Sequence, residues 1–263
     1  MNFQDLKNKT IFITGSSSGI GLGIAKGFLE QGAIVIINGR DDKRLMNCYS
    51  SLSNKFKNDK VYKFLGDVCE EVVIDRFIEY LKEHSLTLDH LVCNVGDGKS
   101  LPILSENKKE FQRMMNINLY GAVNVISKLR PQLEKDEEDN NYFSTITLIS
   151  SICSLERLGC PVAYSASKSA LNTYMKNISF QLGRRGIRVN SVSLGNIFFP
   201  GSTWDEKIRS KPNEVKRMLD NEVSLKKFGD VEDVANIVVF LASRSSKFIT
   251  GSNIVVDGGQ VRS

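Results

Sequence analysis

The stretch Thr14-Gly15-Ser16-Ser17-Ser18-Gly19-Ile20-Gly21 joins a β-branched run, Thr10 to Thr14, to the helical segment Leu22-Gly23-Ile24-Ala25-Lys26, and this junction restricts the fold more than any other feature. Gly15 permits a tight turn, Gly19 lets the backbone approach a phosphate closely, and Gly21 lets helix and strand pack against each other. The helix start adds free N–H groups and the positive end of its dipole. Strand, glycine turn and helix in this order form the context of a dinucleotide-binding loop, with Ser17, Ser18 and Ile20 beside the pyrophosphate. A plain strand-to-helix connection is the other reading of such a turn.

The same alternation continues along the chain. Strand-like runs occupy Thr10 to Thr14, Ile34 to Asn38, Val61 to Leu65, His90 to Cys93, Ser144 to Ile149, Arg188 to Ser193 and Asn253 to Asp257. Helical stretches fall near 20–31, 42–55, 70–84, 105–134, 161–183 and 231–243. Repeated βαβ units predict an α/β fold, a doubly wound seven-stranded parallel sheet with helices on both faces. Several strands are almost wholly apolar, as strands covered on both sides must be. Val231, Val234, Ala235, Val238, Val239 and Ala242 recur at helical spacing and mark a core face, not a site.

A chain of 263 residues fits one domain over 1–263. Residues 196–229 break the rhythm, mixing Pro200, Gly201, Trp204 and Pro212 with many charges, and read as a substrate loop or lid, or as a plain surface excursion. The acidic run Glu134 to Asp139 reads as a solvated loop.

With 41% hydrophobic and 25% charged residues the chain can bury a full core without disulfides or metal. Its 35 Lys and Arg against 30 Asp and Glu are scattered, which does not imply a nucleic-acid partner. Five cysteines without a C-x-x-C pair, and two histidines, argue against a zinc site and fit a reducing cytosol better than a disulfide framework. The polar start and the lack of a long apolar run predict no signal peptide, no membrane partner and a cytoplasmic protein.

The second strand ends Asn38-Gly39-Arg40, where an NAD-binding protein would usually carry a carboxylate for the adenosine ribose. Gly39 repels no 2′-phosphate, and Arg40 can pair with one, so NADP(H) is favoured and NAD(H) stays open. An exposed Arg40 paired with Asp41 or Asp42 is the bland alternative. Asp67-Val68 and Asn94-Val95-Gly96 follow the third and fourth strands, at the sheet edge where ligands of such folds bind.

Tyr164 and Lys168 are four residues apart and share a helix face. A nearby cation lowers a phenol's pKa and makes it a better acid/base at neutral pH. Ser150-Ser151, at the end of the fifth strand, offers a hydroxyl to hold a substrate oxygen beside that phenol. Each piece alone is weak, since Tyr and Lys one turn apart are more often packing partners.

Together these residues resemble the short-chain dehydrogenase/reductase family, in the main branch that includes the β-ketoacyl carrier-protein reductases. The likeness runs through the glycine loop, Asp67, Asn94-Val95-Gly96, Asn116-Ile117-Asn118-Leu119, Ser151, Tyr164 with Lys168, Gly186 to Asn190 and Thr250-Gly251 through Gly259. It implies a Rossmann sheet of order 3-2-1-4-5-6-7 and an NAD(P)-dependent oxidoreductase interconverting a ketone and a secondary alcohol. Tyr164 would be the acid/base and Lys168 would bind the nicotinamide ribose and lower the tyrosine pKa. Ser151 would orient the substrate oxygen, and Asn118 would support a proton-relay water. Asp67 and Val68 would contact adenine, Asn94 and Gly96 would line the cleft, and Gly195 and Ile197 would lie at the nicotinamide. Family members commonly pair the helices at 105–134 and 161–183, which implies a homotetramer or homodimer.

Three positions depart from the family pattern. Cys93 stands in place of a second Asn, Leu194 in place of the proline before Gly195, and Phe199 where a threonine often holds the cofactor. Phe198 and Phe199 read as core or substrate packing, core first. Asp97, Lys99, Glu156 and Arg157 near the substrate face leave a 3-oxoacyl thioester and a sugar or nucleotide-sugar ketone both open and make steroids less favoured. A non-catalytic dinucleotide-binding sensor or scaffold is the rival of another class, with Ser151, Tyr164 and Lys168 against it.

Overall fold

In the computed structural model, described over residues 3–134 and 144–262, the strand-like runs become β1 (Thr10–Ile13), β2 (Ile34–Gly39), β3 (Val61–Leu65), β4 (His90–Cys93), β5 (Ser144–Ser151), β6 (Ile187–Leu194) and β7 (Asn253–Val256). They form one parallel sheet in the order β3-β2-β1-β4-β5-β6-β7. The sense of winding reverses between β1 and β4, which opens a crevice at their carboxyl ends.

The helices are α1 (Gly19–Glu30), α2 (Asp42–Lys55), α3 (Glu71–Glu83), α4 (Lys108–Met115), α5 (Gly121–Leu133), α6 (Val162–Gly183), α7 (Thr203–Ser210), α8 (Pro212–Glu222) and α9 (Val231–Ala242). Successive side chains of a strand point to opposite faces, and β1 shows the division. Ile11 and Ile13 join α1, α2 and α9 in one core, whereas Phe12 joins α3, α5 and α6 in the other and stacks on Phe77 at 3.9 Å.

Two expectations need correction. The helix expected over 105–134 is interrupted by a π-turn at Asn116–Tyr120, between α4 and α5. Residues 196–229 carry two helices instead of an irregular loop. Ser202 caps α7 by accepting from the Asp205 N–H, and Pro212 starts α8, where its missing N–H costs nothing. The acidic run beyond Glu134 lies outside the described residues.

The Gly186 to Asn190 segment is structural. Arg188, 4% exposed, donates to the carbonyls of Leu241, Ser243 and Ile249, and Asn190 also donates to Ile249. The end of α9 is thereby fixed to β6. Among the described residues no helix is long and apolar enough to cross a membrane.

The apolar stripe of α9 packs on α1, with Val234, Ala235, Val238, Val239 and Ala242 buried. A Cβ at Gly23 would stand 2.6 Å from the Val231 Cβ. Gly23→Ala should therefore destabilise the fold by about 1–3 kcal/mol despite its better helix propensity. Urea unfolding tests this as a lower midpoint at unchanged slope.

Candidate active site

The glycine turn is built as its sequence suggests. Gly15 and Gly19 have φ of +61° and +56°, left-handed values that side chains rarely tolerate. A Cβ at Gly21 would lie 2.6 Å from the Gly15 carbonyl oxygen and 2.7 Å from the Asn94 Nδ2. The Asn94 amide donates to the carbonyls of Thr14 and Gly15, both at 3.0 Å, and so ties β4 to the turn after β1. The Thr14 hydroxyl accepts from the N–H groups of Asn94 and Val95. Ser18 precedes α1 without a side-chain cap, and Ser17 lies under Gly39, whose Cβ would meet its Oγ at 2.8 Å.

Just past Gly39, at the same end of β2, Arg40 pairs with Asp67 at 3.2 Å, not with Asp41 or Asp42; Asp41 instead caps α2. Burial pushes the Asp67 carboxyl up, but the Cys69 N–H and Arg40 outweigh it and leave the group below its ordinary value. The Arg40 side chain stays 71% exposed, with further donors directed outward from the sheet edge. The Val68 side chain is buried in the core and its carbonyl accepts from Asn124. Any contact of Val68 with an adenine would have to come from its backbone.

Ser151, Tyr164 and Lys168 converge on one cavity of about 260 Å³, which Asn94, Gly96, Asp97, Gly195, Ile197, Phe199 and Trp204 also line. The Ser151 hydroxyl and the Tyr164 phenol both face this cavity. Burial pushes the phenol above its ordinary value, interaction with the Ser151 hydroxyl pulls it down, and the Asp97 carboxylate adds to the rise. This is the reverse of the lowering expected from Lys168. The Lys168 ammonium instead donates to the Ile149 carbonyl at 2.8 Å, and burial brings it down to about 8.

Asn118 sits on the π-turn, 1% exposed, and its amide grips the Asp97 backbone from both sides. Oδ1 accepts from the Asp97 N–H at 3.0 Å and Nδ2 donates to its carbonyl at 3.1 Å. The Asp97 carboxylate in turn holds Arg113 at 2.8 Å. A Cβ at Gly96 would stand 2.9 Å from the Asn118 Oδ1 and 3.1 Å from the Lys168 Nζ, so only glycine lets these two approach there.

On the β6 side, Leu194 extends the strand and pairs with both Ser151 and Val256. Ile197 makes a parallel bridge with Gly229 through the Asn196 carbonyl and the Phe198 N–H. That pattern turns the N–H and carbonyl of Ile197 itself to the opposite side. The two phenylalanines separate: Phe198 packs near Phe228, whereas the Phe199 ring lies against Gly19, where a Cβ would meet it at 2.8 Å. Phe199 is thus a cleft residue rather than a core one.

Sequence reasoning missed the grip of Asn118 on Asp97 and the role of Asn38. The buried Asn38 amide accepts from the Gly15 N–H and donates to the carbonyls of Phe64 and Gly66, joining three strand ends. A polar residue amid the apolar Ile34 to Ile37 was the available signal. The cysteine reading also needs correction, because Cys153 and Cys160 are disulfide-bonded. Their separation in sequence hides a pair that a bend between β5 and α6 brings together. Among the described residues no group of three His, Cys, Asp or Glu could hold a metal ion.

A family model described as enoyl-(acyl carrier protein) reductase matches residues 15–260. A 3-oxoacyl-(acyl-carrier-protein) reductase of Rickettsia felis is 33% identical over 257 residues, 98% of this chain and 98% of the relative. A 3alpha-hydroxysteroid dehydrogenase of Mediterraneibacter gnavus is 29% identical over 256 residues, 97% of this chain and 98% of the relative. Among solved structures, L-sorbose reductase from Gluconobacter frateurii, complexed with NADPH and L-sorbose, matches with a TM-score of 0.89 at 29% identity, covering 98% of each chain. Sheet order and relatives define an oxidoreductase. The chain belongs to the short-chain dehydrogenase/reductase family.

The buried lysine gives a pH dependence. Its folded pKa of about 8 lies below the ordinary 10.5, so between these values the unfolded chain binds the additional proton. Stability then rises with pH, and wild type should gain on the order of 2–3 kcal/mol over Lys168→Met between pH 7.5 and 10.5. Paired urea titrations across that range measure it; a constant difference would contradict the depressed pKa.

Proposed function

We propose that the protein interconverts a ketone and a secondary alcohol with NADP(H), in the reducing direction at neutral pH. The observation that carries this reading is the convergence of Ser151, Tyr164 and Lys168 on one cavity. A phenol held above its ordinary pKa stays protonated, so Tyr164 can donate to a developing alkoxide while Ser151 holds the same oxygen. Asn118 fixes the Gly96–Asp97 wall of the cavity and flanks the route by which the tyrosine is reprotonated. Lys168, close to losing its proton near neutrality, is suited to binding a ribose hydroxyl and passing a proton onward.

The residues present fit a nicotinamide dinucleotide. The turn of Gly15, Ser17, Ser18, Gly19, Ile20 and Gly21 would hold the pyrophosphate, with no side chain at its three glycines and no room for one at Gly21. Arg40 would meet a 2′-phosphate, with Asp67 and the Val68 backbone at the adenine. Asn94, Gly96, Gly195 and the outward backbone of Ile197 would line the nicotinamide half. Bound NADP(H) supplies the hydride.

For the substrate we favour a compact polar ketone of the keto-sugar kind. Asp97, Ser202, Thr203 and Trp204 line the same small cavity as Tyr164, and carboxylate, hydroxyls and indole suit hydroxyl-rich ligands. The likeness to L-sorbose reductase supports this. A 3-oxoacyl thioester is the second reading, favoured by the 33% identity to the Rickettsia felis enzyme. Assembly through α5 and α6 as a homotetramer or homodimer belongs to the same proposal, supported by Tyr120 and Phe180, which are 54% and 62% exposed.

Following NADPH oxidation with keto sugars, an acetoacetyl thioester and a 3-oxo steroid tests the substrate class; turnover of the thioester alone would reverse the preference. Tyr164→Phe should lower kcat by about a thousandfold and leave NADPH affinity nearly unchanged. An undiminished rate would remove the tyrosine from the chemistry. Arg40→Asp should raise the Kd for NADPH by about tenfold or more and spare NADH. Equal loss of both would refute phosphate pairing.

A further inference from the structure

The chain between Ser151 and Tyr164 carries two cysteines that the fold brings together. β5 ends at Ser151, residues Ile152–Ser154 make one tight turn, and α6 begins at Val162. Cys153 and Cys160 are joined by a disulfide with Cα atoms 6.2 Å apart, within the usual span for a bridge. Both are half-buried and within reach of small thiols. The other cysteines are poor competitors: burial pushes Cys48 up to about 11 and Cys69 and Cys93 up to about 12.

The upstream half of this loop is firmly anchored. The Cys153 N–H donates to the Ser151 Oγ at 3.2 Å, and the Ser154 hydroxyl donates to the Ser151 carbonyl. From α6, Ser169 donates to the Ser154 carbonyl and Asn172 to the Ser154 hydroxyl. At the tip, Glu156 accepts from the Arg262 N–H. Downstream the loop is open. Arg157 and Gly159 are exposed, and Gly159 has a φ of +73° with open space where a Cβ would be. The disulfide is the covalent link from Cys160 back to the anchored half.

We propose that Cys153 and Cys160 form a reversible thiol–disulfide site, exchanging with low-molecular-weight thiols and disulfides, that switches the loop between Ser151 and Tyr164 from braced to loosened. In opening, a small thiolate attacks one sulfur of the bridge, and the other cysteine leaves as thiolate and takes a proton. A second thiolate then attacks the mixed disulfide and frees the first cysteine, which is protonated in turn. The two cysteines gain two electrons and two protons, and the small thiols depart as their disulfide. Closing is the reverse, with a small disulfide as oxidant.

Loosening frees the open half of the loop where it enters α6, just before Tyr164, and lowers the pre-organisation with which the phenol meets the substrate oxygen, so KM rises. Only this kinetic consequence rests on the function proposed above; the bridge and its hold on the loop do not.

The full-length protein is equilibrated with oxidised or reduced glutathione, alkylated and peptide-mapped, and samples of each state are treated with trypsin under native conditions. After oxidation the peptides carrying Cys153 and Cys160 should be linked. Reduction should speed cleavage after Arg157 by about tenfold or more, because the brace no longer restrains the loop. C153S/C160S should be cut at the reduced rate in both buffers. With any ketone turned over, reduction should raise KM about threefold or more in wild type and leave the double variant unchanged. Unlinked peptides after oxidation, or equal cleavage rates in the two wild-type states, overturn the proposal. Mapping and cleavage of wild type need neither turnover nor a folded variant, so a failed substrate assignment is told apart from a failed switch.

Discussion

The Asn94 amide holds the two halves of the sheet at the point where the winding reverses. It donates to the last carbonyls of the β1 turn, while the Thr14 hydroxyl accepts from the chain leaving β4. Those bonds leave the turn no room for a side chain at Gly21, and that exclusion in turn keeps the start of α1 close to β4. Asn38 repeats the device on the other flank, tying the turn to β2 and β3. Every group in the crevice is positioned relative to this stitched seam. The buried Asn38 amide, with its oxygen and both donors paired, is stiff, because breaking one of its bonds leaves a polar group without water.

Electrostatics in the cavity follow from burial more than from pairing. Tyr164 and Lys168 both shift toward their neutral forms, as charged groups do when water is removed. Asp97 adds to this for the tyrosine, although its own charge is shared with Arg113. The family resemblance implied a phenol lowered by the lysine. In this arrangement the ammonium donates to the Ile149 carbonyl, and burial sets the direction of the phenol's shift.

The parts legible in the sequence were those governed by local rules. Apolar runs located all the strands among the described residues because a strand covered on both faces has few alternatives, and Gly15 stood where a tight turn needs a left-handed backbone. Illegible were the features that depend on residues distant in sequence or on competing hydrogen-bond registers. The π-turn at Asn116–Tyr120 leaves no mark in a helical pattern that continues through it. Arg40 had Asp41 and Asp42 as its candidate protein partners, but the partner it takes, Asp67, lies one strand further on. The helices α7 and α8 are short and mostly charged, so they lack the apolar stripe that betrays a buried helix, though Ser202 and Pro212 were present as start signals. Cys153 and Cys160 could be paired only once the bend between β5 and α6 was known.

The bridge between Ile197 and Gly229 fixes the distance between the two ends of the segment that carries α7 and α8. Beyond that neck the returning end of the segment is pinned a second time, where the Leu225 N–H donates to the Gly258 carbonyl and the Ser224 hydroxyl to the Gly259 carbonyl just past β7. One scaffold can therefore carry pocket roofs of different length over α7 and α8 while both attachments stay in place, whereas the glycine at 229 has no such latitude, because the Ile197 side chain is packed against its missing Cβ.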